Sequence, residues 1–162
     1  MSTTATVGSK SLSPKTLYRV VARVEAVTWA LLLVGLVLKY GTDTTELLVR
    51  VGGMLHGAAF LAYCVVTTFV AVDQKWGVGR WLLGVLTSIP PFVTLWFESY
   101  AEKKQLVTDS WRLGGETARG PLEKLATFVI RKPAQGALAG VMLVALLFAL
   151  ALAVGPPGSS AH

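Results

Sequence analysis

Charged residues are absent from four stretches of this chain: residues 26–38, 51–72, 81–97 and 134–154. Acidic and basic side chains gather between them, so long apolar runs alternate with polar connections. A helix over Leu17–Lys39 would be about 33 Å long at about 1.5 Å per residue, enough to cross roughly 30 Å of hydrocarbon. Its uncharged core is short, but no small-residue cleavage site follows Leu38, so an uncleaved span is expected rather than a signal peptide. A polar turn at Gly41–Glu46 leads to a second span over Leu48–Val72, and 73–79 connects this to a third over Arg80–Phe97. Trp81 and Trp96 lie near the ends of the third, where aromatic belts belong. Pro90 and Pro91 fall inside it, remove two backbone donors and predict a kink or break. Gln135–Val154 gives a fourth span, ended by the Gly-Pro-Pro-Gly of residues 155–158.

The expected fold is therefore an all-α, polytopic membrane helix bundle with a three-helix core plus a fourth C-terminal transmembrane helix. Residues 1–16, rich in Ser, Thr, Gly and Pro, read as a disordered N-terminal tail. Residues 17–105 form the three-helix transmembrane domain, 106–133 a polar, amphipathic connector, 134–154 the fourth helix, and 155–162 a tail. In the connector, Leu122, Leu125, Ala126 and Val129 recur at helical spacing. That pattern fits a helix in the headgroup plane, or the lead-in to the last span.

Composition supports a lipid environment. Hydrophobic residues make up 53% of the 162-residue chain and charged residues 15%, against about 25% charged in a soluble domain; the mean hydropathy is +0.59. A net charge of +6 would suit nucleic acid, but the basic residues flank apolar runs, as at membrane boundaries. Membrane lipid, not nucleic acid, is the expected partner. With four crossings, Lys39, Arg50 and the basic residues of 98–133 share one side and outnumber those on the other. That places 98–133 in the cytoplasm and both termini outside, although the charges flanking the first helix favour the opposite orientation.

Ionisable and polar residues inside spans mark candidate function. Here they are Glu25, His56 and Tyr63, with Lys39 snorkelling at a span end. If the first two helices lie antiparallel with flush ends, Glu25 is level with Tyr63, and His56 lies about 12 Å away in depth, near Gly35 and Trp96. Glu25 then either bonds to Tyr63 or Thr28, or pairs with Arg19, Arg23 or another cation. His56 is either a neutral imidazole bonded to a neighbouring helix or part of a proton relay. A lone intramembrane His makes a poor metal site, and the other histidine, His162, is terminal, so no cofactor is expected. Gly53–Gly57 and Gly136–Gly140 are both G-x-x-x-G, which permits close helix approach within the chain or to a partner. The single cysteine, Cys64, excludes an internal disulfide and reads as an apolar filler. No nucleotide, zinc-protease or serine-hydrolase motif occurs.

Tyr18-Arg19, Glu25 ahead of an apolar run, Leu38-Lys39-Tyr40, Gly53 with His56-Gly57, Phe60 and Tyr63, Trp76, and Pro91-Phe92 ahead of Glu98–Lys104 together resemble the YdzA-like small bacterial integral-membrane proteins. These form a family with a His-Gly motif (domain of unknown function 3817). The resemblance covers Leu17 to about Lys104 and implies a three-helix membrane core; it supplies no activity, substrate or cofactor. Residues 106–162 depart from the short form. The function expected is a non-enzymatic membrane subunit or scaffold that packs in a homo-oligomer or with another membrane protein. The alternative is a small oligomeric ion- or proton-coupled carrier using Glu25, His56 and the break at Pro90-Pro91.

Overall fold

The computed structural model describes residues 12–42 and 46–154. Six α-helices and one 3₁₀ turn follow in order: α1 (Pro14–Thr42), α2 (Leu47–Asp73), α3 (Val78–Leu86), α4 (Val93–Lys103), the 3₁₀ turn Arg112–Gly114, α5 (Pro121–Arg131) and α6 (Pro133–Val154). The expected helical bundle is present, and α1, α2 and α6 are each long and apolar enough to cross a membrane. Pro14–Thr16 belong to α1 rather than to a tail, as do Gly41 and Thr42 rather than to the turn. Expectations for residues 1–11, 43–45 and 155–162 lie outside the described residues.

α1 and α2 form an antiparallel pair in which small residues bring the backbones together. A Cβ on Gly35 would stand 2.9 Å from the Leu48 carbonyl carbon and the Val49 nitrogen, and one on Gly52 would stand 3.1 Å from the Leu32 Cα. These glycines fix the register. α6 runs antiparallel to α2 on another face, where a Cβ on Gly57 would meet the Phe148 ring at 3.2 Å.

The break expected at Pro90-Pro91 is present, and it divides residues 80–97 into two short helices. α3 ends at Leu86 and α4 starts at Val93, with Pro90 and Pro91 between them and Phe92 in the left-handed region at φ 65°. The Thr87 and Ser88 hydroxyls donate back to the carbonyls of Gly84 (2.7 Å) and Val85 (2.6 Å), satisfying acceptors that the broken helix leaves open. Beyond the break the chain turns back. Thr94 meets Glu25, and Glu98 and Glu102 meet Arg19 and Lys15 near the start of α1. α3 and α4 are therefore a re-entrant hairpin whose two ends lie at the same end of the bundle. The four-crossing scheme, which put 73–80 and 98–133 on opposite sides, does not hold, because the hairpin returns to where it began.

That end is capped. α2 and α4 finish with Lys75 and Gln105 in the left-handed conformation, and Trp76 N–H and Leu106 N–H reach back to Ala71 O and Ala101 O, each at 2.8 Å. The Trp76 indole then donates to Leu106 O at 2.8 Å, tying the two helix ends together. The segment expected as a connector is docked here. Leu113 is fully buried, and the Asp73 carboxylate accepts from the N–H groups of Arg112 (3.2 Å) and Leu113 (3.0 Å) at the start of the 3₁₀ turn. Arg112 donates to the carbonyls of Asp73 and Val72 at the α2 terminus, where the helix dipole favours a cation. It also pairs with Glu123 at 2.7 Å and Glu116 at 2.9 Å. α5 buries Ala126 and exposes Leu122, Leu125 and Phe128. Lys132 then precedes Pro133, and Gly136 allows the tight corner into α6: a Cβ there would lie 2.6 Å from Val129 Cγ1.

Candidate functional site

Two polar clusters lie between α1, α2 and the hairpin. In the first, the Tyr18 and Tyr63 hydroxyls are 2.8 Å apart, and Tyr63 donates to Gly84 O at 3.1 Å with Thr87 Oγ1 at 3.3 Å. Both rings are buried in an aromatic nest with Trp76 and Phe97. Gly84 makes room for it, since a Cβ there would press on Phe97 and Thr67 at 3.0 Å.

The second cluster surrounds Glu25, which is fully buried. Its Oε2 accepts from Thr94 Oγ1 at 2.6 Å, a bond that depends on the hairpin carrying α4 back to α1. Oε1 makes no well-formed hydrogen bond; the group that interacts with the carboxylate on that side is the buried Trp29 indole N–H, one turn along the same helix, which has no other partner. The Trp29 ring lies against His56, with centroids 4.2 Å apart, and Thr28 Oγ1 stands 3.4 Å from His56 Nδ1 while donating to Glu25 O at 2.8 Å.

The expected pairing of Glu25 with Tyr63 is thus replaced: Tyr63 meets Tyr18, and Glu25 meets Thr94. Nor is Glu25 paired with Arg19, which binds Glu98 and Glu102 at 3.2 and 2.6 Å. His56 lies not a dozen ångströms from Glu25 in depth but beside Thr28 and Trp29, within about one turn of it. The flush-ended arrangement fails because Gly35 and Gly52 set the register and α2 runs on into the cap. Thr94 and Trp29 were not singled out from sequence; the one local signal is that each stands four residues from a carboxylate, Glu98 and Glu25.

The remaining candidates are placed separately. Lys39 pairs with Glu46 at 3.1 Å and lies over the Tyr40 ring. Gly53 faces a Leu32 methyl at 3.9 Å, Gly57 faces Phe148 and Gly136 faces Val129, so three of the four motif glycines make contacts within the chain. Gly140 has open space around it. Pro90 and Pro91 form the hairpin apex. Among the described residues no group of three or more His, Cys, Asp or Glu could hold a metal ion.

Electrostatics concentrates at the capped end. Lys15 and Arg19 hold the Glu102 carboxyl below the usual carboxylate range, Arg112 does so for Glu116, and the Arg119 N–H together with Arg112 does so for Glu123. Every Lys and Arg among the described residues except Lys39 and Arg50 lies in this half of the molecule.

A protein of Streptomyces coelicolor named "Putative membrane protein SCO5905" is 49% identical to this chain over 84 residues, which are 51% of this chain and 10% of that protein. The chain thus spans about a tenth of the length of the relative it matches. No solved structure matches. The family model described as Domain of unknown function (DUF3817) matches residues 15–103, which take in α1, α2 and the whole re-entrant hairpin, and the chain belongs to this family.

Proposed function

We propose that this membrane protein is a non-enzymatic, multi-pass subunit of the plasma membrane that packs against a larger membrane protein. α1, α2 and α6 cross the bilayer, the hairpin enters and leaves on the capped side, and the excess of Lys and Arg there orients the cap to the cytoplasm. The observation that carries the reading is the relative: a segment 49% identical occupies only 10% of a much longer chain named as a membrane protein, so the module has there a large covalent companion. α6 is the surface offered to a partner. None of its most apolar window is buried within the chain, and Leu138, Val141, Met142 and Leu146 all stand exposed.

The test is photocrosslinking from Leu146 on α6 in the native membrane, with Val37 on α1 as a second probe site. A single discrete protein adduct from Leu146 supports the reading, with its mass separating a second copy from a larger partner. Adducts to lipid alone from both positions, with a monomer in nanodiscs, would exclude it.

A carrier is the second reading, favoured by one observation. Glu25 and His56, separate in the flush-ended arrangement, share one cluster in which a fully buried carboxylate stands against the first turn of α4, just past the break in the hairpin. Proton or cation flux in proteoliposomes, abolished by Glu25→Gln, would support it; absence of flux, or flux that survives Glu25→Gln and His56→Ala together, would remove it.

A further inference from the structure

Lys15, Arg19 and Arg23 follow one another at four-residue spacing and form one stripe on α1. The first two are neutralised by the hairpin: Lys15 binds Glu102 at 2.8 Å, and Arg19 binds Glu98 and Glu102. One turn deeper α4 offers no carboxylate, only Thr94 and Leu95. Arg23 is exposed there and makes no ion pair among the described residues. Directly beyond it, Ala26, Val27 and Ala30 of α1, Phe92 and Leu95 of the hairpin and the carbon stem of Arg23 form an open, wholly apolar groove, with the guanidinium at its edge rather than in its lining. Val27 is 68% exposed and Phe92 43%.

An unpaired guanidinium about 13 Å along α1 from Pro14 at about 1.5 Å per residue is costly where lipid tails begin. The helix itself supplies part of the remedy, because side chains lean towards the N-terminus and so towards the near headgroups. What remains is an anion at the headgroup level joined to an apolar tail. We infer that this groove is a binding site for one anionic glycerophospholipid of the leaflet on the capped side, with its phosphate held by the Arg23 guanidinium and an acyl chain laid along Ala26, Val27, Ala30, Phe92 and Leu95. Arginine suits the task, since its planar fork meets phosphate oxygens in pairs. Phe92, left-handed at the hairpin apex, contributes the far wall. The inference rests on α1 crossing the bilayer.

The test is native mass spectrometry of the full chain, released from detergent containing equal phosphatidylglycerol and phosphatidylcholine of matched acyl chains. The wild type is expected to retain one phosphatidylglycerol in preference. Arg23→Gln should lower that preference about tenfold, as expected for one lost charge-assisted contact; Arg23→Lys should keep part of it. Ala30→Trp fills the groove and should remove retention of both lipids while the aromatic nest keeps the protein folded, so the claim survives should Arg23→Gln prove unstable. Lys132→Gln, which removes a cation outside the groove, should change nothing.

An unchanged preference in Arg23→Gln, full retention in Ala30→Trp, an equal loss in Lys132→Gln, or displacement of the lipid by excess inorganic phosphate would each overturn the assignment. A chain that folds and stays in solution without detergent would instead refute the membrane reading beneath it.

Discussion

Tyr63 is the residue on which most of the interior converges. Its hydroxyl meets Tyr18, Gly84 O and Thr87, and so joins α1, α2 and α3, whereas the Tyr18 hydroxyl makes one such bond. Tyr18→Phe should therefore cost about 0.5–1.5 kcal/mol, and Tyr63→Phe more, up to about 3 kcal/mol. Thermal unfolding of the purified protein in detergent should rank wild type above Tyr18→Phe above Tyr63→Phe; the reverse ranking would contradict the network. At the surface, Glu102 carries a pH signature. Lys15 and Arg19 depress its folded pKa, so the stability this clamp adds is present above the ordinary value of 4.5 and is lost as pH falls through the lower folded value. Glu102→Gln should lower the unfolding temperature at neutral pH, with the difference from wild type shrinking in acid. At this scale the sequence pointed to the right residue types but to the wrong partners. Glu25 was marked by its cost in lipid, while its bond to Thr94 depends on a chain reversal that no local pattern reports.

The helices themselves were legible because membrane-length helices need long charge-free runs, and α1, α2 and α6 coincide with three of the four. The fourth run misled, since 17 uncharged residues at 81–97 look like a crossing. Two prolines and a left-handed Phe92 divide it, and whether the chain then continues or returns is decided by tertiary pairing. The pairing does leave a trace, for Glu98 and Glu102 repeat at the same spacing as Lys15 and Arg19. Register was equally non-local. Between α1 and α2 the closest backbone approaches are at Gly35 and Gly52, outside either repeat, whereas Gly136 of the second repeat packs on the Val129 backbone at the corner between α5 and α6. Gly35→Ala and Gly52→Ala should each destabilise by roughly 1–3 kcal/mol, because the new methyl group meets backbone that cannot yield. Gly140→Ala enters open space and should leave the unfolding temperature unchanged or raise it. Equal losses at all three sites would show that the helices meet in another register.

For the whole molecule, the division of charge is the organising fact. The N-terminus of α1, the ends of α2 and α4, the start of α3, and α5 are gathered into one hydrogen-bonded cap with nearly all the cations, while Thr42, Leu47 and Val154 occupy the sparsely charged opposite end. In the topology proposed above, α1, α2 and α6 make three crossings, with Pro14 and Val154 on opposite sides of the bilayer.

Cysteine accessibility measures this directly. With Cys64 replaced by Ala, single cysteines at Glu46, Gly79 and Ser110 are probed with a membrane-impermeant maleimide in right-side-out and inside-out vesicles. Glu46→Cys should label only in right-side-out vesicles, and Gly79→Cys and Ser110→Cys only in inside-out ones. Ser110→Cys labelling together with Glu46→Cys would mean that residues 80–97 cross the membrane, and the re-entrant hairpin would be wrong.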